Sequence, residues 1–124
     1  MTKPILLLDF DGVIHSYNSG WQGVTNIPDR PVDGFWEWAA MANRTFDLQI
    51  FSARSSAPGG IEAMAAWLHD NRPASGIHRG VGFSFPTTKP SAFLTIDDRC
   101  VCFDGDWRKL TPQVLMDFTP WNRR

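Results

Sequence analysis

The apolar run Ile5-Leu6-Leu7-Leu8 constrains the fold more than any other stretch of the chain. It shows no polar alternation, so as a strand it needs cover on both faces. That is the situation of strands in parallel sheets flanked by helices. The run ends in Asp9-Phe10-Asp11-Gly12. Taken alone, two such carboxylates before a glycine suit turn and capping roles. Their meaning depends on what else arrives at the same edge of the sheet.

The rest of the chain alternates strand and helix signals. "VIHSY" and "WQGVTNI", separated by turn residues, are expected to pair as a short hairpin flap after strand 1. From Pro31, Val32, Phe35, Trp36 and Ala39 recur at helical spacing, with the end near Asn43. Phe46 to Phe51 reads as a second buried strand. Ile61, Met64, Ala65 and Leu68 mark a second helix to about Asn71. "IHRGVGFSF" reads as a short strand plus loop. The stretch 92–96 reads as a third strand, ending at Asp97 and Asp98, and "CVCF" as a fourth. Thr111 suits an N-cap with Pro112 at the first helical position, opening a last helix through Phe118. The alternation implies one domain, 1–124, of α/β class with a doubly wound parallel sheet.

Composition supports a globular chain: of 124 residues, 43% are hydrophobic and 13% aromatic, enough for one core. Net charge is −1, so no global field favours nucleic acid or an anionic membrane. The tail "WNRR" is a candidate for a small local basic patch. Cys100 and Cys102 are poorly placed to bridge each other and too few for a zinc site. They read as reduced small hydrophobes. No signal peptide or membrane span is visible, so a cytoplasmic location is the expectation.

In doubly wound sheets ligands bind beyond the carboxyl ends of the strands. Three expected strands end there in reactive residues: Asp9 and Asp11, Ser52 and Arg54, and Asp97 and Asp98. Carboxylates gathered in one small site repel and call for a hard cation such as Mg²⁺. Asp9 is a candidate nucleophile toward phosphorus. Asp11, swung over the leaving group by the turn at Gly12, is a candidate general acid and base. Ser52, the Ala53 backbone and Arg54 can bind phosphoryl oxygens. Lys89, before Pro90, can offset developing charge.

Asp9-Phe10-Asp11-Gly12-Val13, Ser52, Lys89 and Asp97-Asp98, in that order and spacing, resemble the four motifs of the haloacid dehalogenase-like (HAD) phosphotransferase superfamily. The resemblance spans residues 5–98. It implies a Rossmann-like core and a Mg²⁺-dependent phosphatase working through a phosphoaspartyl intermediate. Asp9 would be nucleophile and Mg²⁺ ligand. Asp11 would be the acid/base and would give Mg²⁺ its backbone carbonyl. Ser52 would bind phosphate and Lys89 would steady charge. Asp97 would be the second acidic metal ligand, with Asp98 beside it. The dehalogenases of the superfamily lack the second aspartate, so Asp11 favours phosphoryl transfer. Val13 stands where many relatives have Thr.

Neither Asp11 to Phe46 nor Ser52 to Lys89 has room for a cap domain, so a capless member with an open site is expected. Such a site suits a macromolecular phosphorylated substrate, or a lid from a partner subunit in a dimer. Phe51-Ser52-Ala53-Arg54 and Ile96-Asp97-Asp98-Arg99 are also similar to stretches of polynucleotide kinase-phosphatases. That adds a nucleic-acid 3′-phosphatase as an alternative, with Arg54, Arg79 and Arg99 near the mouth. A non-catalytic phosphate- or partner-binding module is the other alternative. His15 reads first as structural, with an acid or substrate contact as the alternative, and Tyr17 and Trp21 read first as hairpin packing, with a stacking surface at the open site as the alternative.

Overall fold

The computed structural model describes residues 2–74 and 76–123 of the chain. Ser75, in the stretch "NRPASG" that the sequence marks as breaking the second helix, and Arg124 of the tail "WNRR" therefore lie outside the described residues. Three strands, β1 (Ile5–Leu8), β2 (Asp47–Ile50) and β3 (Leu94–Ile96), form a parallel sheet in the order β2-β1-β3. Leu6 faces Leu48 on one side and Leu94 on the other, and Leu8 faces Ile50 and Ile96. β1 is thus the central strand, and Leu6, Leu7 and Leu8 are all buried, as an uninterrupted apolar run requires. The observed architecture is mixed α/β with a small open sheet.

Helix α1 (Phe35–Ala42) buries Phe35, Trp36 and Ala39. Helix α2 (Gly60–Asn71) buries Met64, Trp67 and Leu68. These join Phe10, Ile14, Leu48, Ile50 and Val81 in the core. Each fully buried aliphatic or aromatic side chain adds about 1.5–3 kcal/mol of hydrophobic stabilisation. Ala65, expected inside, is exposed, while Trp67, also expected in the core, is buried there. Helix α1 starts four residues later than Pro31. The Val32 N–H donates to the Ile14 carbonyl, and His15 bridges Pro31, so that backbone is committed before the helix begins. Helix α3 (Pro112–Met116) has the expected cap, with the Thr111 hydroxyl accepting from the Val114 N–H at 3.2 Å.

Two expected elements are absent among the described residues. No hairpin forms between 13–17 and 21–27. Instead Ile14 to Ser16 pairs with Arg30 to Val32, leaving 17–29 as an irregular loop. Tyr17 at φ 63° starts that loop by turning the chain out of extended geometry. No strand forms at 100–103 either: the Arg99 N–H donates to Asp97 Oδ1, turning the chain away from the sheet. Cys100 and Cys102 are free, as the sequence reading expects, and both are exposed. The "IHRGVGFSF" stretch supplies a 3-10 turn, Gly76–His78, and a single bridge from Ser84 to Gln49 along the outer edge of β2.

Between β1 and β2 the chain holds only this loop and α1. Between β2 and β3 it holds α2 and the Gly76–His78 turn. No helix among the described residues is long and apolar enough to cross a membrane.

Candidate active site

The carboxyl ends of β1 and β3 bring three aspartates together. Asp9 follows Leu8 directly, and its N–H donates to the Ile96 carbonyl at 3.0 Å, which ties the two strand ends side by side. Asp97 and Asp98 follow Ile96. One carboxylate oxygen from each of Asp9, Asp97 and Asp98 lies within 4.8 Å of the other two. That span matches the roughly 4–5 Å diameter of the oxygen shell around a hard divalent cation.

The electrostatics of this cluster are unfavourable without a counter-ion. Burial pushes the Asp9 carboxyl up to about 7, repulsion from Asp97 and Asp98 adds to it, and only the Phe10 backbone hydrogen bond opposes it. Burial also raises Asp98, with the Asp97 charge in the same direction, while hydrogen bonding to Asp9 and the charge of Arg99 work against it. Asp98 Oδ1 is buried and has no hydrogen-bond partner. An orphaned buried acceptor on one member of a three-carboxylate cluster fits a divalent metal, since a buried polar atom without a partner is otherwise costly.

Gly12 completes the fit. At φ +84° it occupies the left-handed region, and a Cβ there would meet Asp98 Oδ2 at 2.2 Å. Only glycine lets Asp98 close over the turn.

Asp11 points elsewhere. Its Oδ1 accepts from Arg54 Nη2 at 3.1 Å and lies 2.9 Å from His15 Nδ1, while Oδ2 accepts from Arg54 Nε at 3.0 Å. His15 is fully buried, and its Nε2 accepts from the Asp29 N–H at 3.1 Å, so Nδ1 bears the hydrogen that faces Asp11. Burial alone would lift the Asp11 carboxyl, but hydrogen bonds from His15 and Arg54 and the Arg54 charge hold it below the usual carboxylate range. The Asp11 side chain is therefore outside the acidic cluster.

Arg54 corrects the sequence reading most sharply. It was expected to bind phosphate, but it is fully buried. Besides both Asp11 oxygens it donates to the Gly23 and Val24 carbonyls at 2.7 Å each, and it lies 4.5 Å from the Trp21 ring centre. It fastens the 17–29 loop to the site floor and presents no free fork to a ligand. Gly60 makes room for this turn, because a Cβ there would meet the Arg54 carbonyl oxygen at 1.8 Å.

Ser52 follows β2 at the same sheet edge and is buried. Its hydroxyl accepts from the Arg54 N–H at 3.1 Å, which leaves the hydroxyl hydrogen free to donate outward. Ala53 is exposed at the crest of that turn. Lys89 is not brought to the acids. It is exposed on the segment leading into β3, and no ion pair or hydrogen bond joins it to them among the described residues.

Sequence reasoning missed Trp121 and Asn122. The Trp121 indole N–H donates to the Gly12 carbonyl at 2.8 Å, and the Asn122 amide to the Ser16 carbonyl at 3.1 Å. Trp121 thereby walls a hollow of about 240 Å³ shared with Gly12, Val13, Val32, Asp97 and Asp98. Nothing local in "WNRR" signals a partner more than a hundred residues away.

The Asp9 shift gives a measurable consequence. The folded chain holds this proton more tightly than the unfolded chain does. The stabilising effect is thus complete below 3.8 and disappears as pH rises toward about 7. In the presence of a chelator, melting temperature should fall across that window. Asp9→Asn should flatten the fall and melt higher than the parent chain at pH 8, by about 2 kcal/mol of stability. Thermal melts at several pH values check this, and a melting temperature that climbs through the window contradicts it.

Comparison with known proteins is silent: no family model, curated protein or solved structure matches the chain.

Proposed function

We propose that this chain is a small HAD-like phosphatase, a Mg²⁺-dependent phosphomonoester hydrolase with a doubly wound core and no cap domain. The single observation that carries the reading is the Asp9, Asp97 and Asp98 cluster at the carboxyl ends of neighbouring parallel strands. Asp9, Asp97 and Asp98 would hold the ion, with the Asp11 backbone carbonyl as a further ligand. Bound there, Mg²⁺ neutralises the acids and withdraws charge from the phosphoryl oxygens.

In the proposed reaction an Asp9 oxygen forms a bond to phosphorus as the ester P–O bond breaks, leaving a phosphoaspartate. The departing alkoxide takes a proton from Asp11. Water then attacks phosphorus, Asp11 takes a proton from it, and the bond to Asp9 breaks to release inorganic phosphate. In the observed arrangement Asp11 is ionised and clamped, which suits the base step. The acid step requires its side chain to leave Arg54, take up a proton from solvent and turn to the leaving-group oxygen. Ser52 is positioned to donate to a phosphoryl oxygen. Lys89 joins only if the segment before β3 folds inward on substrate.

The nucleic-acid 3′-phosphatase reading is weaker than the sequence suggested. Of the three arginines expected at the mouth, Arg54 is buried and spent on Asp11. Phosphate release from an aryl phosphate, a sugar phosphate, a phosphopeptide and a 3′-phosphorylated oligonucleotide, each with Mg²⁺ or chelator, tests both readings. The proposal expects Mg²⁺-dependent turnover of at least one of them. Turnover unaffected by chelator overturns it, and no preference for the oligonucleotide removes the alternative.

A further inference from the structure

We propose that the C-terminal apolar face of this chain is covered by a second copy of the same chain, in a two-fold dimer built on β3 and the segment after it. From Ser91 to Thr119 no residue is buried. Yet the stretch is rich in large apolar side chains: Phe93 is 71% exposed, Leu94 57%, Trp107 75% and Met116 81%. Soluble monomers seldom leave a continuous run of this kind in water.

The surface area supports a partner of definite size. The chain exposes 7934 Å², whereas a compact monomer of 14.0 kDa exposes about 6,700 Å². The excess, about 1,200 Å², exceeds the roughly 800 Å² that each partner contributes to an interface of standard size. One copy of a small domain is enough to remove it.

Charge selects the kind of partner. Within this stretch Lys109 pairs with Asp104 at 2.6 Å and Arg108 with Asp106 at 2.9 Å, and five acids against three bases leave a small negative balance of −2. The face offers no cationic field to a nucleic acid or an anionic bilayer. With a net charge of −1 per chain, two copies meet with almost no repulsion. Strongly apolar faces with little net charge are the mark of homodimer interfaces.

The sheet supplies the symmetry. The outer edge of β2 is covered by the Ser84 segment, but among the described residues β3 pairs only with β1. A bare edge strand is a template for another strand. Two identical β3 edges meet antiparallel about a two-fold axis, which closes the assembly at two copies. A hollow of about 220 Å³ beside this edge, lined by Leu8, Val13, Val32, Phe35, Trp38 and Ile96, stands ready to take an apolar side chain of the facing copy.

Sedimentation velocity of the full chain over a dilution series tests the proposal. The expected result is a dimer at high concentration that dissociates on dilution. Leu115→Asp combined with Met116→Asp should weaken it about a hundredfold or more, and both sites are exposed, so folding should survive. Trp107→Ser gives a second, milder variant on the same face. Met41→Asp, at an exposed site on α1, should leave the dimer intact. Hydrogen exchange should show the Leu94–Ile96 amides better protected in the dimer than in the dissociated double variant. A monomer at every soluble concentration overturns the proposal, as do open-ended oligomers. Indifference of the dimer to both face variants, or equal loss with Met41→Asp, overturns the assignment of the face.

Discussion

Asp9→Asn is expected to abolish Mg²⁺-dependent phosphate release, with a loss of about 10⁴-fold or more. An amide in this place cannot attack phosphorus and form the covalent intermediate. It also removes one of the three carboxylates whose oxygens converge within 4.8 Å, so metal affinity should fall together with turnover. The loss of activity should come with a gain in stability in the absence of metal, because Asp9 is the acid whose ionisation burial opposes most. That opposite movement of activity and stability separates a poised functional group from a structural one. A residual rate within tenfold of the parent chain would show that Asp9 is not the nucleophile. Steady-state phosphate release with saturating Mg²⁺ decides between the two.

The second large effect is expected at Arg54. Arg54→Ala should destabilise the chain by about 3–5 kcal/mol, the usual cost of removing one partner from a buried ion pair. The charge of Asp11 would be left with His15 alone, and the Gly23 and Val24 carbonyls would lose their donors. Against a typical total stability of about 5–15 kcal/mol, that is a large share. Arg54→Lys should recover only part of it, since an ammonium cannot reproduce the fork that spans both Asp11 oxygens. Urea unfolding followed by tryptophan fluorescence measures both variants, and a loss below about 1 kcal/mol for Arg54→Ala would contradict the assigned role.

The clamp also sets an acid limit. Asp11 is held below its ordinary range, so its contribution is complete above 3.8 and fades as pH falls through the folded value. In Arg54→Ala that acid-induced loss should shrink.

What could be read from the sequence follows from how local the determinants are. The central strand was legible because four consecutive apolar residues leave a strand no solvent face. The Thr111-Pro112 helix start was legible because a cap and a fixed φ act within one turn. The convergence of Asp9 with Asp97 and Asp98 was legible because parallel strands deliver their carboxyl ends to one edge. The fate of Arg54 was not legible. A loop arginine is usually solvated, and only the fold brings Asp11, Gly23, Val24 and Trp21 around it. His15 illustrates the same limit: it reads as structural from the sequence, but its partners, Asp11 and the Asp29 N–H, are set by the loop path. Two short strand-like stretches failed for one reason. Neither "WQGVTNI" nor "CVCF" meets a free sheet edge, and β propensity without a partner strand does not make a strand.

The account stands on Asp9 becoming phosphorylated. The most direct measurement is rapid acid quench of the chain mixed with a phosphomonoester and Mg²⁺, followed by peptide mapping by mass spectrometry. The account predicts one phosphoryl group on the peptide carrying Asp9, present with Mg²⁺, lost with chelator and missing in Asp9→Asn. Phosphate released with no phosphoryl group on that peptide at any quench time, or a phosphoryl group that persists in Asp9→Asn, would contradict it.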